Sequence, residues 1–442
     1  MYLQKTKKEI IKKNCVIEIF GIGYVGFPLC IRLASSGFNI IGIDTDENRL
    51  KRLESNQLKQ SENDLKEQFI ELRSRKKILL SKSSAEFNLP KIGIICVPTP
   101  ISRKHTNSNI FINFAVKNFL SCSKKGDVLI IESSLEIGSF ENIKSMINEY
   151  GFSVGENFGL AYCPERIDPL NKKWELHNIP RIIYCENNDT FDIAHSIYEN
   201  INQANLIRVS SSKVAELVKS FENSFRLVNI SLVNELAILC DKINVNISEV
   251  ISAASTKPFG FIPFYSGAGA GGHCIPKDSI SLYNSGKKFG FEFSIVRKAI
   301  EINSLVPKYI VESVEKILSE KDLPRKVLVI GLAYKENLED SRDSPGLKIS
   351  HELVKKSIDV EVFDPFFNSD SFRKKNENFK ILENLEESHL EEISCIIIVQ
   401  HHSKMKQIIQ KIYDDSVVSI IYDCQSKLIP NLNSSTILKS FG

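Results

Sequence analysis

Nowhere does this chain hold an apolar run long enough to span a bilayer as a helix. No apolar core follows its basic N-terminal run either, so neither membrane anchor nor secretory signal is expected. Charge of one sign is also missing. A net charge of +3, from scattered basic residues, leaves no footprint for nucleic acid. Cys163, His177, His273 and Cys274 form no CxxC or HxxxH pair, which excludes the usual zinc spacings, and no metal is expected. Ten cysteines without a signal peptide imply reduced thiols and a cytoplasmic setting. Cys30, Cys96, Cys240 and Cys395 fall in apparent strands or helices, where a small hydrophobe suffices. The basic cluster of Lys5, Lys7, Lys8, Lys12 and Lys13 is read as a solvated extension over residues 1–14.

What is present has the composition of a globular enzyme. At 442 residues, with 42% hydrophobic and 25% charged side chains, the chain exceeds one core. Strands and helices alternate to about residue 208, with CVIEIF, NIIGID, KIGIICVP and DVLIIESS as strands. Residues 209–320 turn helical, and Pro307 is expected to kink the second long helix or mark a boundary. Alternation resumes over 321–442, without a close internal repeat. The expected fold is α/β: two Rossmann-like, doubly wound parallel-sheet domains joined by a central helical domain with a long helix.

GIGYVG follows the first strand and opens a helix. Gly21 and Gly23 suit the tight turn and the approach of a pyrophosphate, with Tyr24 and Val25 in the same turn, and Gly26 suits close helix–strand packing. The helix N-terminus offers free N–H groups to phosphates. The second strand ends in Asp44, at the offset of a carboxylate on an adenine ribose. Its charge repels the extra phosphate of NADP, so NAD is the expected cofactor. Val97, Pro98 and Thr99 end the next core strand, and Ser133 and Ser134 a later one. They border the nicotinamide half, with Thr99 and Ser134 as hydrogen-bond donors or simply as turn caps.

GAGAGGHCIPKD, Gly267 to Asp278, presents Cys274 on a glycine-rich loop beside His273, Lys277 and Asp278. A thiol becomes a nucleophile when it ionises, and nearby positive charge favours that. In a chain with a dinucleotide fingerprint, this suggests oxidation through a covalent thioester; a glycine turn around an incidental buried cysteine is the competing reading. Glu216, Lys219, Asn223 and Arg226 share one stripe of an otherwise apolar helix. The stripe is either a solvated face or, on a helix read as buried, a site in which Lys219 stabilises negative charge on a substrate. Finally, GLAYKENLEDSRDSPGLK lacks the glycine fingerprint but brings Lys335, Arg342 and a helix start at Ser344-Pro345, either to hold a phosphorylated ligand or as an exposed polar loop.

In order and spacing, GIGYVG, CVPTP, YCPER, AELVKSFENSFR, GGHCIPKD and GLAYK with DSRDSP resemble the UDP-glucose/GDP-mannose dehydrogenase family over nearly the whole chain. The string TKPFGFIPFYSGAGAGGHCIPKD looks most like the bacterial branch acting on UDP-N-acetylhexosamines, especially UDP-N-acetylglucosamine 6-dehydrogenases. The resemblance implies a four-electron, NAD-dependent oxidation of a sugar C6 hydroxymethyl to a carboxylate, with Cys274 carrying a thiohemiacetal and then a thioester. It implies further that Lys219 and Asn223 stabilise the oxyanion, and that Asp278 pairs with Lys219 in proton transfer or water activation. Glu165 is then an acid/base group, and Ser134 stands for the usual threonine. Lys277 joins the cofactor contacts, and Arg226, Lys257, Phe264, Gly271, Lys335 and Arg342 the substrate contacts. Domains at 1–208 for NAD, 209–320 for the cysteine loop and 321–442 for the UDP-sugar are implied. So are a second copy of the chain docked through the central helices and a role in surface-polysaccharide synthesis; neither nucleic acid nor membrane is implied as a partner.

Departures at Pro169-Leu170, Tyr184-Cys185, Ala268, Ala270 and Ser279 bear on loop geometry and substrate preference. The alternatives that stay open are the same chemistry on UDP-N-acetylmannosamine or UDP-glucose, a catalytically silent nucleotide-sugar-binding protein, and a one-step hydroxyacid dehydrogenase.

Overall fold

The computed structural model describes all residues except 59, 101–108, 169–170, 172, 368–371, 373–375, 377 and 386–389, and omits the side chains of residues 60 and 61. The Pro169-Leu170 departure therefore lies outside the described residues. Two compact units result, Met1–Phe221 and Glu222–Gly442. Among the described residues no helix is long and apolar enough to cross a membrane.

Among the described residues the first unit is built on eight strands: β1 Val16–Phe20, β2 Asn39–Ile43, β3 Ile78–Ser81, β4 Lys91–Ile95, β5 Val128–Ile131, β6 Gly159–Tyr162, β7 Arg181–Cys185 and β8 Leu206–Arg208. Their order is β3-β2-β1-β4-β5-β6-β7-β8. The first six run parallel, and the order reverses between β1 and β4, which opens a crevice beyond their carboxyl ends. β5 reads as an unbroken apolar run, and β1 as an apolar run broken by buried Glu18, because helices cover both sheet faces. β7 departs from the parallel expectation: it pairs antiparallel with β6, and β8 follows β7.

The N-terminal segment is a correction. Residues Tyr2–Ile11 form helix α1 rather than a solvated extension. Leu3, Thr6 and Ile10, spaced three and four apart, are buried, and the Thr6 hydroxyl donates to the Gly126 carbonyl at 2.7 Å. Lys5, Lys7 and Lys8 lie on the remaining face, where Lys7 pairs with Asp192 at 2.6 Å, and Lys12 and Lys13 follow the helix. A strong run of Lys hid a helix whose apolar stripe is only three residues wide.

Further helices of this unit are α2 Gly26–Ser35, α3 Glu47–Glu54, α4 Lys66–Ser74, α5 Ile110–Leu120, α6 Ser139–Glu149 and α7 Asn188–Tyr198. Helix α8, Ser212–Lys242, contains the boundary between the units. The second unit adds α9 Ile247–Ser255, α10 Ile275–Lys288, α11 Ser294–Glu320, α12 Pro345–Lys355 and α13 Lys406–Asp414. Its parallel sheet has the order β11-β10-β9-β12-β13-β14, from β9 Lys326–Ile330, β10 Asp359–Phe363, β11 Lys380–Ile381, β12 Cys395–Ile398, β13 Ile420–Asp423 and β14 Ile437–Ser440. α11 runs on through Pro307, which is buried within it, so the proline marks no boundary.

Candidate active site

The turn after β1 has the geometry a dinucleotide needs. Gly21 takes φ +86° and packs where a Cβ would stand 2.9 Å from the Cys96 carbonyl oxygen. At Gly26 a Cβ would come within 2.1 Å of the Gly21 carbonyl oxygen, so only glycine lets α2 approach the strand. Gly23 faces open space, with nothing within 4 Å of its Cβ position, and it and Tyr24 are exposed. That open edge beside a helix N-terminus fits a pyrophosphate. Asp44 stays half-exposed: Oδ2 accepts the Ile22 N–H at 3.0 Å and Oδ1 the Asp46 N–H at 3.0 Å, leaving lone pairs for ribose hydroxyls. Arg49 fastens the same turn by donating to the Ile22 carbonyl at 3.0 Å while its guanidinium pairs with Glu62. These residues fit NAD.

At the rim beyond β4 and β5, Val97 is half-buried, Pro98 exposed and Thr99 buried. The Ser133 hydroxyl donates to the Val97 carbonyl at 2.7 Å, which ties the two rim loops together, and Ser134 is half-buried. Glu165 differs from the free acid/base group the resemblance implies. Its Oε1 accepts the N–H groups of Arg166 and Ile167 at 2.6 and 2.7 Å, and its Oε2 is ion-paired with Arg181. Both oxygens are thereby spent on holding the chain. Its main-chain carbonyl instead receives Lys219, whose Nζ donates at 2.5 Å.

Helix α8 inverts the burial expected of it. Val214, Leu217, Phe221, Phe225, Leu232 and Leu239 are exposed, whereas Glu216, Ser220, Asn223, Ser224 and Asn234 are buried. Glu216 has a structural task, accepting the N–H groups of Gly138 and Phe140 at the start of α6 at 2.8 and 2.9 Å. Arg226 is exposed.

In the second unit Cys274 is the N-cap residue of α10, half-exposed, with Pro276 in the first turn. A helix N-terminus stabilises a thiolate. Buried cysteines elsewhere go the other way, as at Cys163, where burial pushes the thiol up to about 12. Cys274 Sγ lies 3.4 Å from His273 Nε2. Burial, with the Arg342 and Lys277 charges, brings the His273 imidazole down to about 4, so it is neutral near pH 7. One turn along, buried Asp278 accepts from Asn223 Nδ2 at 2.6 Å and stands 3.3 Å from Lys277 Nζ. The resemblance pairs Asp278 with Lys219; within its own unit the carboxylate is engaged by Asn223 and Lys277.

The glycines of the cysteine loop are there for packing. A Cβ on Gly271 would meet Pro345 Cδ at 2.7 Å and the Asp343 carbonyl oxygen at 2.8 Å, and one on Gly272 would meet the Tyr334 ring at 2.7 Å. Gly271, expected against substrate, thus has its side-chain direction filled by protein. Gly272 N–H donates to the Arg342 carbonyl at 3.0 Å, so this loop and the Lys335–Arg342 loop form one structure. Asn303 grips the Ala270 peptide from both sides, at 2.6 and 2.9 Å, and Asn234 accepts the Gly267 N–H at 3.0 Å. Sequence reasoning missed these two asparagines, whose only signal is amide side chains on apolar helix faces. Of the remaining expected contacts, Lys257 is exposed with its ammonium 5.1 Å from the Phe259 ring centroid, and Phe264 meets Phe225 edge-on at 6.0 Å. Lys335 is half-buried, and Arg342 donates to Asp340 through Nε at 2.9 Å. Ser279 is buried and donates to the Ile275 carbonyl at 2.8 Å.

The second unit also holds a fingerprint that reading along the chain does not find, because it is split. Gly331 has φ +99°, and a Cβ on Gly346 would come within 2.2 Å of its carbonyl oxygen, the same contact that Gly26 makes with Gly21. Gly331 N–H donates to the Phe363 carbonyl at 2.9 Å as Gly21 N–H donates to Ile43 at 2.7 Å. Asp364 accepts the Leu332 and Ala333 N–H groups at 2.6 and 2.9 Å, in the role Asp44 plays for Ile22. Here, however, the carboxylate is buried and also meets His402 Nε2 at 3.0 Å. The Asn337 N–H donates to His402 Nδ1 at 2.9 Å, which assigns the proton to Nε2. Asp364 has no exposed edge for a ribose.

Family models for the UDP-glucose/GDP-mannose dehydrogenase family match in three parts: the NAD binding domain at residues 15–202, the central domain at 213–305 and the UDP binding domain at 328–429. The chain is 30% identical over 440 residues to a UDP-N-acetyl-D-mannosamine dehydrogenase of Methanococcus aeolicus, covering 98% of this chain and 95% of that one. It is 29% identical over 396 residues to a UDP-N-acetyl-D-glucosamine 6-dehydrogenase of Salmonella typhi, covering 88% and 91%. Among solved structures, a UDP-D-ManNAc dehydrogenase from Pyrococcus horikoshii superposes with a TM-score of 0.84 at 27% identity, over 96% of this chain and 99% of that one.

Proposed function

The chain belongs to the UDP-glucose/GDP-mannose dehydrogenase family of NAD-dependent oxidoreductases, and we propose that it oxidises the C6 hydroxymethyl of a UDP-N-acetylhexosamine to the uronate through Cys274. The observation that carries this reading is the setting of Cys274: a half-exposed thiol capping a helix N-terminus, 3.4 Å from a neutral imidazole. When bound, NAD supplies the hydride acceptor for both oxidations.

The chain's residues do the rest. Cys274 Sγ adds to the carbon of the C6 aldehyde, forming a C–S bond while the carbonyl oxygen gains a proton. Loss of that proton and of a hydride leaves the thioester. Water then adds, the C–S bond breaks, and the thiol returns as the carboxylate leaves. Lys219 and Asn223 stabilise the oxyanion that forms twice along this course. Asp278, which accepts from Asn223 and pairs with Lys277, activates the water. Glu165 contributes its carbonyl, as the seat of Lys219, in place of a proton-transferring carboxyl. Ser134, Thr99, Ser133, Val97 and Pro98 border the nicotinamide. Lys335 and Arg342, on the loop that packs against Gly271 and Gly272, address the nucleotide-sugar, with Lys257, Phe264 and Arg226 completing the substrate contacts.

For the sugar, UDP-N-acetylmannosamine now stands ahead of the gluco epimer, because the relative named for it matches along more of the chain. We propose the homodimer too, through the exposed stripe of Val214, Leu217, Phe221, Phe225, Leu232 and Leu239, an apolar helix face of the kind a second copy covers. The uronate product suits surface-polysaccharide synthesis.

The deciding experiment measures NADH formed per sugar consumed with both UDP-N-acetylhexosamines and UDP-glucose. Two NADH per UDP-N-acetylhexosamine is the expected result. Two from UDP-glucose alone moves the substrate; one NADH removes the thioester; none, with sugar still bound, leaves a binding protein.

A further inference from the structure

We infer that Arg181 is a positioning residue of this site, acting through Glu165 to aim Lys219. The inference rests on the proposed role of Lys219. It begins with topology. Ligands of a doubly wound sheet lie beyond the carboxyl ends of its parallel strands, so residues opening those strands lie at the far edge. β7 runs the other way, pairing Ala161 with Cys185 and Tyr162 with Tyr184. Continued past β6, that register sets Arg181 opposite Glu165. The first residue of a reversed strand thereby arrives at the rim.

At that rim Arg181 is almost wholly buried and holds two carboxylates at once. Nη1 donates to Glu132 Oε1 at 2.8 Å and Nη2 is ion-paired with Glu165 Oε2. Glu132, which directly follows β5, is buried and also accepts the Tyr198 hydroxyl at 2.6 Å, while the Tyr198 ring lies 4.7 Å from the guanidinium. A guanidinium fork can bridge two carboxylates in fixed geometry; a lysine ammonium is a point charge on a flexible stem. Glu165 is therefore held from three directions, by Arg181 and by the N–H groups of Arg166 and Ile167. Its carbonyl oxygen is aimed as a consequence, and it is to that oxygen that Lys219 donates. Neither Arg181 nor Glu132 needs to touch substrate for this chain of contacts to set the lysine.

Burial alone would give Arg181 a purely structural role, so the test must read Lys219 in a folded protein. Full-length wild type and Arg181→Lys are labelled competitively with acetic anhydride, without substrate, and Lys219 acetylation is quantified by mass spectrometry against exposed Lys242 and Lys257. Arg181→Lys keeps the charge but not the fork. Lys219 reactivity is expected to change by about tenfold, the factor that one charged hydrogen bond is worth, with the reference lysines unchanged. In turnover kcat falls by about 10²-fold, as for a misplaced catalytic group, while KM for the UDP-sugar holds. A folded Arg181→Lys protein with unaltered Lys219 labelling overturns the inference. Should Arg181→Lys not fold, Tyr198→Phe, which removes one donor from Glu132, shifts Lys219 labelling by a smaller factor; no shift there overturns it equally. A labelling change in a protein that forms no uronate keeps the positioning network and removes the proposed reaction; uronate formation with labelling unmoved does the reverse.

Discussion

Asn223 donates its side-chain N–H to Asp278 at 2.6 Å, and both side chains are buried. Replacing that donor by a carboxylate, Asn223→Asp, sets two acids at hydrogen-bond distance, with the Lys277 ammonium 3.3 Å from Asp278. Their repulsion is present only when both are ionised. The variant is expected to lose about 3 kcal/mol or more of stability above neutral pH, and less on acidification as one acid takes a proton. Thermal melts from pH 5 to 8 check the sign: a penalty that shrinks as pH rises would refute it.

Cys274→Ala removes the proposed nucleophile and its 3.4 Å contact with His273 Nε2. Uronate formation should fall by roughly 10³-fold or more, with NAD binding by fluorescence titration intact. Turnover at the wild-type rate would sink the covalent route.

Asp44→Ala takes away a half-exposed carboxylate that accepts the Ile22 and Asp46 N–H groups. The cost in NAD affinity is about tenfold to a hundredfold, one or two hydrogen bonds to a charged group, and discrimination against NADP should relax. Dissociation constants for both cofactors decide this.

His273 carries the pH signature. Its folded-state value is lowered to about 4, first by burial and then by the Arg342 and Lys277 charges, against the opposing pull of Asp340 and Asp278. Between that value and 6.5 the unfolded chain takes up a proton that the folded protein refuses, so stability falls as pH drops through this window. His273→Gln has no such proton to refuse. The melting temperature of the variant minus that of the wild type should therefore rise from pH 7 to pH 4.5.

Much of this was legible along the chain. β1, β2, β4 and β5 fall on the runs that the sequence shows as strands, and Gly21 and Gly26 make the turn and the close helix contact that GIGYVG suggests. What escaped depends on side chains aimed in three dimensions. α1 was masked by its lysines, since composition outweighs a stripe of Leu3, Thr6 and Ile10. The reversal of β7 leaves no mark in Arg181–Cys185, whose direction is set by its pairing with β6. The orientation of α8 was misjudged because an apolar helix face can be covered by another molecule as well as by its own domain. YCPER implies an acid/base role for Glu165 and gives no sign of the ion pair its carboxylate makes with Arg181, distant in sequence.

The two aspartates at the ends of β2 and β10 carry a lesson for reading other sequences. Around each, a glycine pair, a strand-end carbonyl and a carboxylate repeat the same joinery. Only at Asp44 does a face remain open; at Asp364 the imidazole of His402 and the chain itself have closed it. The joint is thus a carpentry of strand, turn and helix that holds whether or not its carboxylate is open to a ribose. A glycine pair in this contact certifies how a chain is assembled, and vacancy beside the carboxylate is the separate test for whether anything is received there.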